Sequence, residues 1–189
     1  MTRKLWTIPN ILSLSRIVFL PLLYDIAFKG HMTYFIISYA ILGLTDALDG
    51  FLARKLNQVT TLGKILDTVA DMLFYFSTLF FMVYFYPERI SQNALIIYIF
   101  LGFYVFAYLF SFIRFKKPMQ LHTNHLRVNA ALVYFLMIMS PFMDTTWVIT
   151  AILVSFIIAY IEEILIFILY GAADVDTRSL RALLKEKKS

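Results

Sequence analysis

The chain has 189 residues, 61% of them hydrophobic and 15% charged, with a formal net charge of +5. Soluble domains average nearer half apolar and a quarter charged, so a water-soluble globule is disfavoured. Cysteine is absent, which excludes a disulfide framework, a thiol nucleophile and a thiolate metal site. The length suits one domain over 1–189, and long apolar runs make it an all-α integral membrane domain.

Residues 1–10 carry Arg3, Lys4, Leu5, Trp6 and Ile8. This basic, partly apolar mix suits a short interfacial helix on an anionic leaflet. No small-residue cleavage site follows, and Pro21 interrupts the next apolar run, so a signal peptide is not expected. Pro9-Asn10 reads as a helix entry. The first span covers roughly 11–28 and holds Arg16 about two turns in. The second covers 33–54, with Asp46 and Asp49 near its end. A polar connection over 55–62 leads to the third span at 63–86, with Asp67 and Asp71 near its start. Spans four, five and six follow at about 94–113, 128–143 and 147–170, the last containing Glu162 and Glu163. Residues 171–189 form a charged tail. Spans of about 20 residues cross a hydrocarbon core of ~30 Å.

Six spans put both termini on one side, and the basic residues choose it. Arg3, Lys4, Arg54, Lys55, Lys64, Arg114, Lys116, Lys117, Arg127, Arg178, Arg181, Lys185, Lys187 and Lys188 fall on the terminal side; only Lys29 and Arg89 fall opposite. That bias makes the terminal side cytoplasmic. The ends of spans two and three, and all four aspartates, then lie at the cytoplasmic face of a cell (inner) membrane. Spans two and three, joined by a short loop, are expected to be neighbours. A buried Arg16 needs a phosphate or a carboxylate, and Glu162 and Glu163 lie at a comparable depth.

Asp46 and Asp49 are three residues apart and Asp67 and Asp71 four apart, so each pair shares a helix face. Four carboxylates in an apolar setting call for positive charge among them. Hard divalent cations with oxygen ligands supply it, and Mg²⁺ favours carboxylates together with substrate phosphates.

The stretch reads Asp46-x-x-Asp49-Gly50-x-x-Ala53-Arg54, eight residues, Gly63-x-x-x-Asp67-x-x-x-Asp71. It resembles the signature of the CDP-alcohol phosphotransferases, and every fixed position of that pattern is present. The resemblance extends more loosely to Ile8-Pro9-Asn10 and Arg16 and to the six spans. It implies two Mg²⁺ or Mn²⁺ ions and transfer from a CDP-linked lipid, CDP-diacylglycerol, to an alcohol with release of CMP. Carried over by position, Asp46 and Asp67 would bridge both metals, Asp49 would complete one and Asp71 the other. Asp71 would also be the catalytic base. Gly50, Arg54 and Thr60 would contact the CDP-lipid. A two-metal site of this type clamps the attacking and leaving oxygens of a displacement.

The acceptor stays open. Arg127, Lys117, His122 and His125, with Arg114 and Lys116, form a cationic set at the expected cytoplasmic mouth. Such a set suits a phosphorylated alcohol, glycerol 3-phosphate or inositol phosphate. A neutral alcohol is the alternative. Membrane lipids and a second copy of the chain are expected partners, and nucleic acid is not. The competing class is a non-catalytic divalent-cation-binding membrane protein. A carrier would place its ions near the midplane and show paired halves, whereas these acids sit at one face beside an arginine.

Overall fold

The first long helix has two kinds of surface on one face. In the computed structural model, which describes residues 7–56, 58, 60–116 and 124–171, α1 runs over Ile8–Phe28. Its buried residues are Pro9, Asn10, Ser13 and Arg16, then Leu20, Leu23 and Ala27. The spacing of three and four makes one stripe, polar in its first half and apolar in its second. Thr7 caps the helix, its hydroxyl accepting from the Asn10 amide at 3.4 Å. Pro9 sits in the first turn, where a missing N–H breaks no helical bond. Residues 8–10 therefore belong to α1 rather than to a separate interfacial segment; residues 1–6 lie outside the described residues. Gly30, with φ of +74°, carries the chain out of α1 in a conformation that suits glycine.

The helices that follow are α2 (Met32–Lys55), α3 (Thr61–Phe85), α4 (Pro87–Gln92), α5 (Ala94–Phe115), α6 (Asn124–Met139) and α7 (Thr146–Tyr170). No strand occurs among the described residues. Five helical stretches are long and apolar enough to cross a membrane: Ile8–Phe28, Met32–Ala53, Ile65–Phe85, Ala94–Phe115 and Thr146–Leu169. The expected fifth span is shorter than the others, with an apolar stretch of Val128–Met139. Large apolar side chains such as Val18, Phe76, Tyr98, Ile113 and Trp147 point outward, as suits helices facing hydrocarbon rather than water.

The chain forms two compact units, 1–87 and 88–189. In the first, α1 packs along both α2 and α3, whose backbones approach each other little. α2 and α3 are neighbours, as their short loop suggests, but they meet mainly through side chains, with α1 packed against both. Side chains bridge α2 and α3 at the end away from the aspartates. Tyr39 stacks on Phe74 at 4.9 Å, and Phe35 meets Phe81 and Phe85 at 4.8 and 5.0 Å. Tyr24 of α1 joins the same cluster, 4.6 Å from Phe81. Hydroxyls pin the layer: Tyr24 donates to Ser77 at 3.0 Å, and Tyr39 pairs with Thr78 at 2.8 Å. A buried phenol with a partner avoids the penalty of a stranded hydroxyl.

In the second unit α7 is the central helix, with α5 and α6 packed against it. Polar pins again sit among apolar contacts. Thr150 donates to Asn93 Oδ1 at 2.5 Å, Asn93 Nδ2 donates to the Thr146 carbonyl at 3.2 Å, and Ser155 donates to Asn129 at 2.7 Å. Arg89 of α4 donates to the Ser140 carbonyl and to Thr145 Oγ1, at 2.8 and 3.0 Å. The chain turns over residues 140–143, and α7 begins at Thr146. The Thr146 hydroxyl and amide donate to Asp144 and hold that exposed carboxyl below its usual range.

Candidate active site

Thr60 begins the construction of the site. Its hydroxyl accepts from the Gly63 amide at 2.9 Å and caps α3. This satisfies a first-turn donor and sets Asp67 and Asp71 one and two turns further on. Gly63 has a packing reason. A Cβ there would lie 2.5 Å from Asn10 Oδ1 and 2.9 Å from Thr60 Oγ1. The missing side chain lets Asn10 of α1 press against the start of α3. The cap had a signal in the sequence, a threonine three residues ahead of Gly63 at a helix start. The part played by Asn10 had none.

That close approach brings the polar half of α1 between the two acidic helix ends. Arg16 is 2% exposed, and its guanidinium reaches all four aspartates. Nη1 lies 2.6 Å from Asp46 and 2.5 Å from Asp71. Nη2 lies 2.7 Å from Asp49 and 2.8 Å from Asp67. Each terminal nitrogen thus ties one carboxylate of α2 to one of α3. Ser13 adds a hydrogen bond to Asp49 at 2.8 Å. The expected carboxylate partners of Arg16, Glu162 and Glu163, are replaced by these four, because α1 packs against both α2 and α3.

The carboxylates differ in exposure. Asp49 is 3% exposed, whereas Asp46, Asp67 and Asp71 keep 40%, 43% and 36% of their side-chain surface. One acid is sealed and three are open. One oxygen from each of Asp46, Asp49 and Asp67 lies within 4.8 Å of the others, close enough to share a cation. Four carboxylates against one guanidinium leave three negative charges in excess (4 − 1). The donor set is all oxygen, which suits Mg²⁺ or Mn²⁺ over softer ions. The residues present therefore fit hard divalent cations.

A small cleft opens beside Asp49 and Asp67, lined by Gly50, Ala53, Thr60 and Gly63 among others. Gly50 and Thr60, two of the positions expected to meet the CDP-lipid, share this cleft. Arg54 lies in α2, but its side chain is outside the described residues.

The acceptor set is placed less completely. Lys117 and His122 lie outside the described residues, as does the side chain of Arg127, whose backbone is in α6. His125 is described, and its Nδ1 lies 2.9 Å from Glu162 Oε2. The histidine expected to meet an anion thus has a carboxylate partner on α7, and Glu162 acquires a role the sequence left open.

A sequence model of CDP-alcohol phosphatidyltransferases matches residues 6–168. The chain belongs to the CDP-alcohol phosphatidyltransferase family. It is 43% identical over 95 residues to the CDP-diacylglycerol–glycerol-3-phosphate 3-phosphatidyltransferase of Aquifex aeolicus, covering 50% of this chain and 52% of that protein. A cardiolipin synthase (CMP-forming) of Streptomyces coelicolor is 42% identical over 84 residues, 41% of this chain and 39% of its own. The CDP-diacylglycerol–inositol 3-phosphatidyltransferase of Saccharomyces cerevisiae is 39% identical over 84 residues, 44% of this chain and 38% of its own. The chain thus spans about half the length, or less, of these curated relatives. No solved structure matches it significantly.

Proposed function

We propose that this member of the family transfers a phosphatidyl group from CDP-diacylglycerol to an alcohol and releases CMP. The observation that carries the reading is the convergence of Asp46, Asp49, Asp67 and Asp71 from two helices on one point beside a cleft. Two Mg²⁺ or Mn²⁺ ions held by these four carboxylates would neutralise the pyrophosphate and the charge that develops on the leaving CMP.

In this reading Asp46 and Asp67 would help hold both ions, Asp49 one and Asp71 the other. The burial of Asp49 and its bond from Ser13 suit a fixed ligand. The partial exposure of Asp71 suits a group that must meet an incoming hydroxyl. Asp71 takes the proton of the acceptor hydroxyl. The acceptor oxygen then bonds to the phosphatidyl phosphorus, the pyrophosphate P–O bond breaks, and CMP departs. Gly50 and Thr60 border the space assigned to the cytidine end, and Arg54 is assigned to a phosphate.

The acceptor we favour is a phosphorylated polyol such as glycerol 3-phosphate, held by Arg127, Lys117, His122 and His125. The Aquifex relative acts on glycerol 3-phosphate by name, and the cationic character of 114–127 supports an anionic acceptor. We also propose six crossings, with α6 as the short fifth, and a cytoplasmic site in a cell membrane. The basic-residue bias supports the orientation.

The test is an acceptor panel with purified protein and CDP-diacylglycerol. Glycerol 3-phosphate, inositol phosphate, inositol, serine and a second phospholipid are supplied in turn, and CMP and lipid products are measured with and without chelator. CMP release that needs Mg²⁺ or Mn²⁺ and is greatest with glycerol 3-phosphate is expected. Activity surviving thorough chelation would remove the two-ion reading, and a preference for serine or free inositol would remove the anionic acceptor.

A further inference from the structure

Four of the five N–H donors of Arg16 go to four different carboxylates, and the fifth, on Nε, is buried without a hydrogen-bond partner. A guanidinium built for a permanent ion pair presents its fork to one carboxylate and takes both oxygens. Here it stands at the centre and gives one hydrogen to each acid, which is how a coordinated cation is surrounded. Three of its four partners keep 36–43% of their surface, so an ion can reach them from outside. The guanidinium carries a single charge against four, and a divalent ion brings two to the same oxygens. Mg²⁺ holds oxygens at about 2.0–2.1 Å, so an ion drawn to the same oxygens competes with the guanidinium for them.

We infer that Arg16 is the resident counter-cation of the aspartate cluster: it holds the four carboxylates together before metal arrives and is displaced from them by the divalent ions. Arg16 is then a positioning residue. It pre-assembles α2 and α3 around a site that would otherwise be opened by repulsion among four acids. Metal loading is an exchange of cations rather than the filling of a vacant cage. The inference rests on the two-ion reading of the same site, and metal binding can be measured apart from turnover.

The test is a Mn²⁺ titration of the full-length protein in detergent, following free Mn²⁺ by electron paramagnetic resonance, for wild type, Arg16→Gln and Arg16→Lys. Loss of contacts worth that of charged hydrogen bonds predicts Mn²⁺ binding about ten- to a hundredfold tighter in Arg16→Gln. Lysine keeps the charge but cannot bridge four carboxylates, so Arg16→Lys should fall between the two. Without metal, Arg16→Gln should melt below wild type and gain more on Mn²⁺ addition. Equal or weaker Mn²⁺ binding in Arg16→Gln overturns the exchange. So does tightening in Arg16→Gln with no change in Arg16→Lys, because a bystander charge explains that pattern. If Arg16→Gln does not fold even with Mn²⁺ present, Arg16→Lys decides alone by the same criterion. A wild type that takes up no Mn²⁺ removes the two-ion reading and the inference together; a wild type that binds while neither variant tightens removes the inference only.

Discussion

Arg16 and Asp49 are 2.7 Å apart and almost wholly buried, at 2% and 3% exposure. The other three aspartates around the same guanidinium are each more than a third exposed. A buried charge pair loses far more when one partner is removed than a wet one does. Asp49→Ala should therefore destabilise the metal-free protein by about 1.5–3 kcal/mol, the range of a hydrogen bond to a charged group. Asp67→Ala should cost under about 1 kcal/mol. Thermal melting in detergent with chelator ranks the two, and equal losses would contradict the burial argument.

Asp71 should behave differently from its neighbours in kinetics. Asp71→Asn keeps the shape and removes the base, so kcat should fall by roughly 10²–10⁴-fold. CDP-lipid binding, measured by displacement of a labelled nucleotide, should largely survive. Retention of more than a few per cent of kcat would show that the proton goes elsewhere.

The contact between Gly63 and Asn10 predicts a coupled pair. A Cβ on residue 63 would fall 2.5 Å from Asn10 Oδ1, so Gly63→Ala should lose about 1–3 kcal/mol, as overpacking does. Asn10→Ala in the same chain removes the obstacle and should recover part of that loss. Melting of both single variants and the double one closes the cycle. Additive losses would mean that Gly63 is needed for another reason.

Orientation can be read by labelling. Single cysteines at Asn57 and His122 should be protected from an impermeant thiol reagent in intact cells, and one at Ser91 should react. The opposite pattern would reverse the sidedness inferred from the basic residues.

The aspartates were legible because spacing survives without knowledge of packing: three and four residues each define a helix face. The helical class and the long apolar runs were legible for a similar reason. What α1 does was not. Loop length suggests that consecutive helices are neighbours, and a short connection does join α2 to α3. Yet Gly63 leaves a recess that Asn10 fills, and Ser13 and Arg16 follow on the same face. Nothing in the periodicity of α1 says which acids its arginine will meet, so depth alone pointed to Glu162 and Glu163. The short helix α4 did carry its signals, with Pro87 at its start and Glu88 in its first turn. The polar segment around Lys117 and His122 has little periodicity to read, and its acceptor role rests on charge alone.

The packing of α1 against two later helices has a consequence for biogenesis. Arg16 lies about 12 Å from the start of α1, and an arginine at the centre of a lone membrane helix costs about 2.5–3.5 kcal/mol on insertion scales. Its counter-charges lie 30 and 33 residues downstream on α2, and 51 and 55 residues downstream on α3. During synthesis the first helix is therefore made with its charge unanswered. It gains half its partners with the second helix and the remainder only when the start of the third has emerged. The first helix should therefore insert less readily alone than together with the second and third, and it is not expected to serve as an independent anchor.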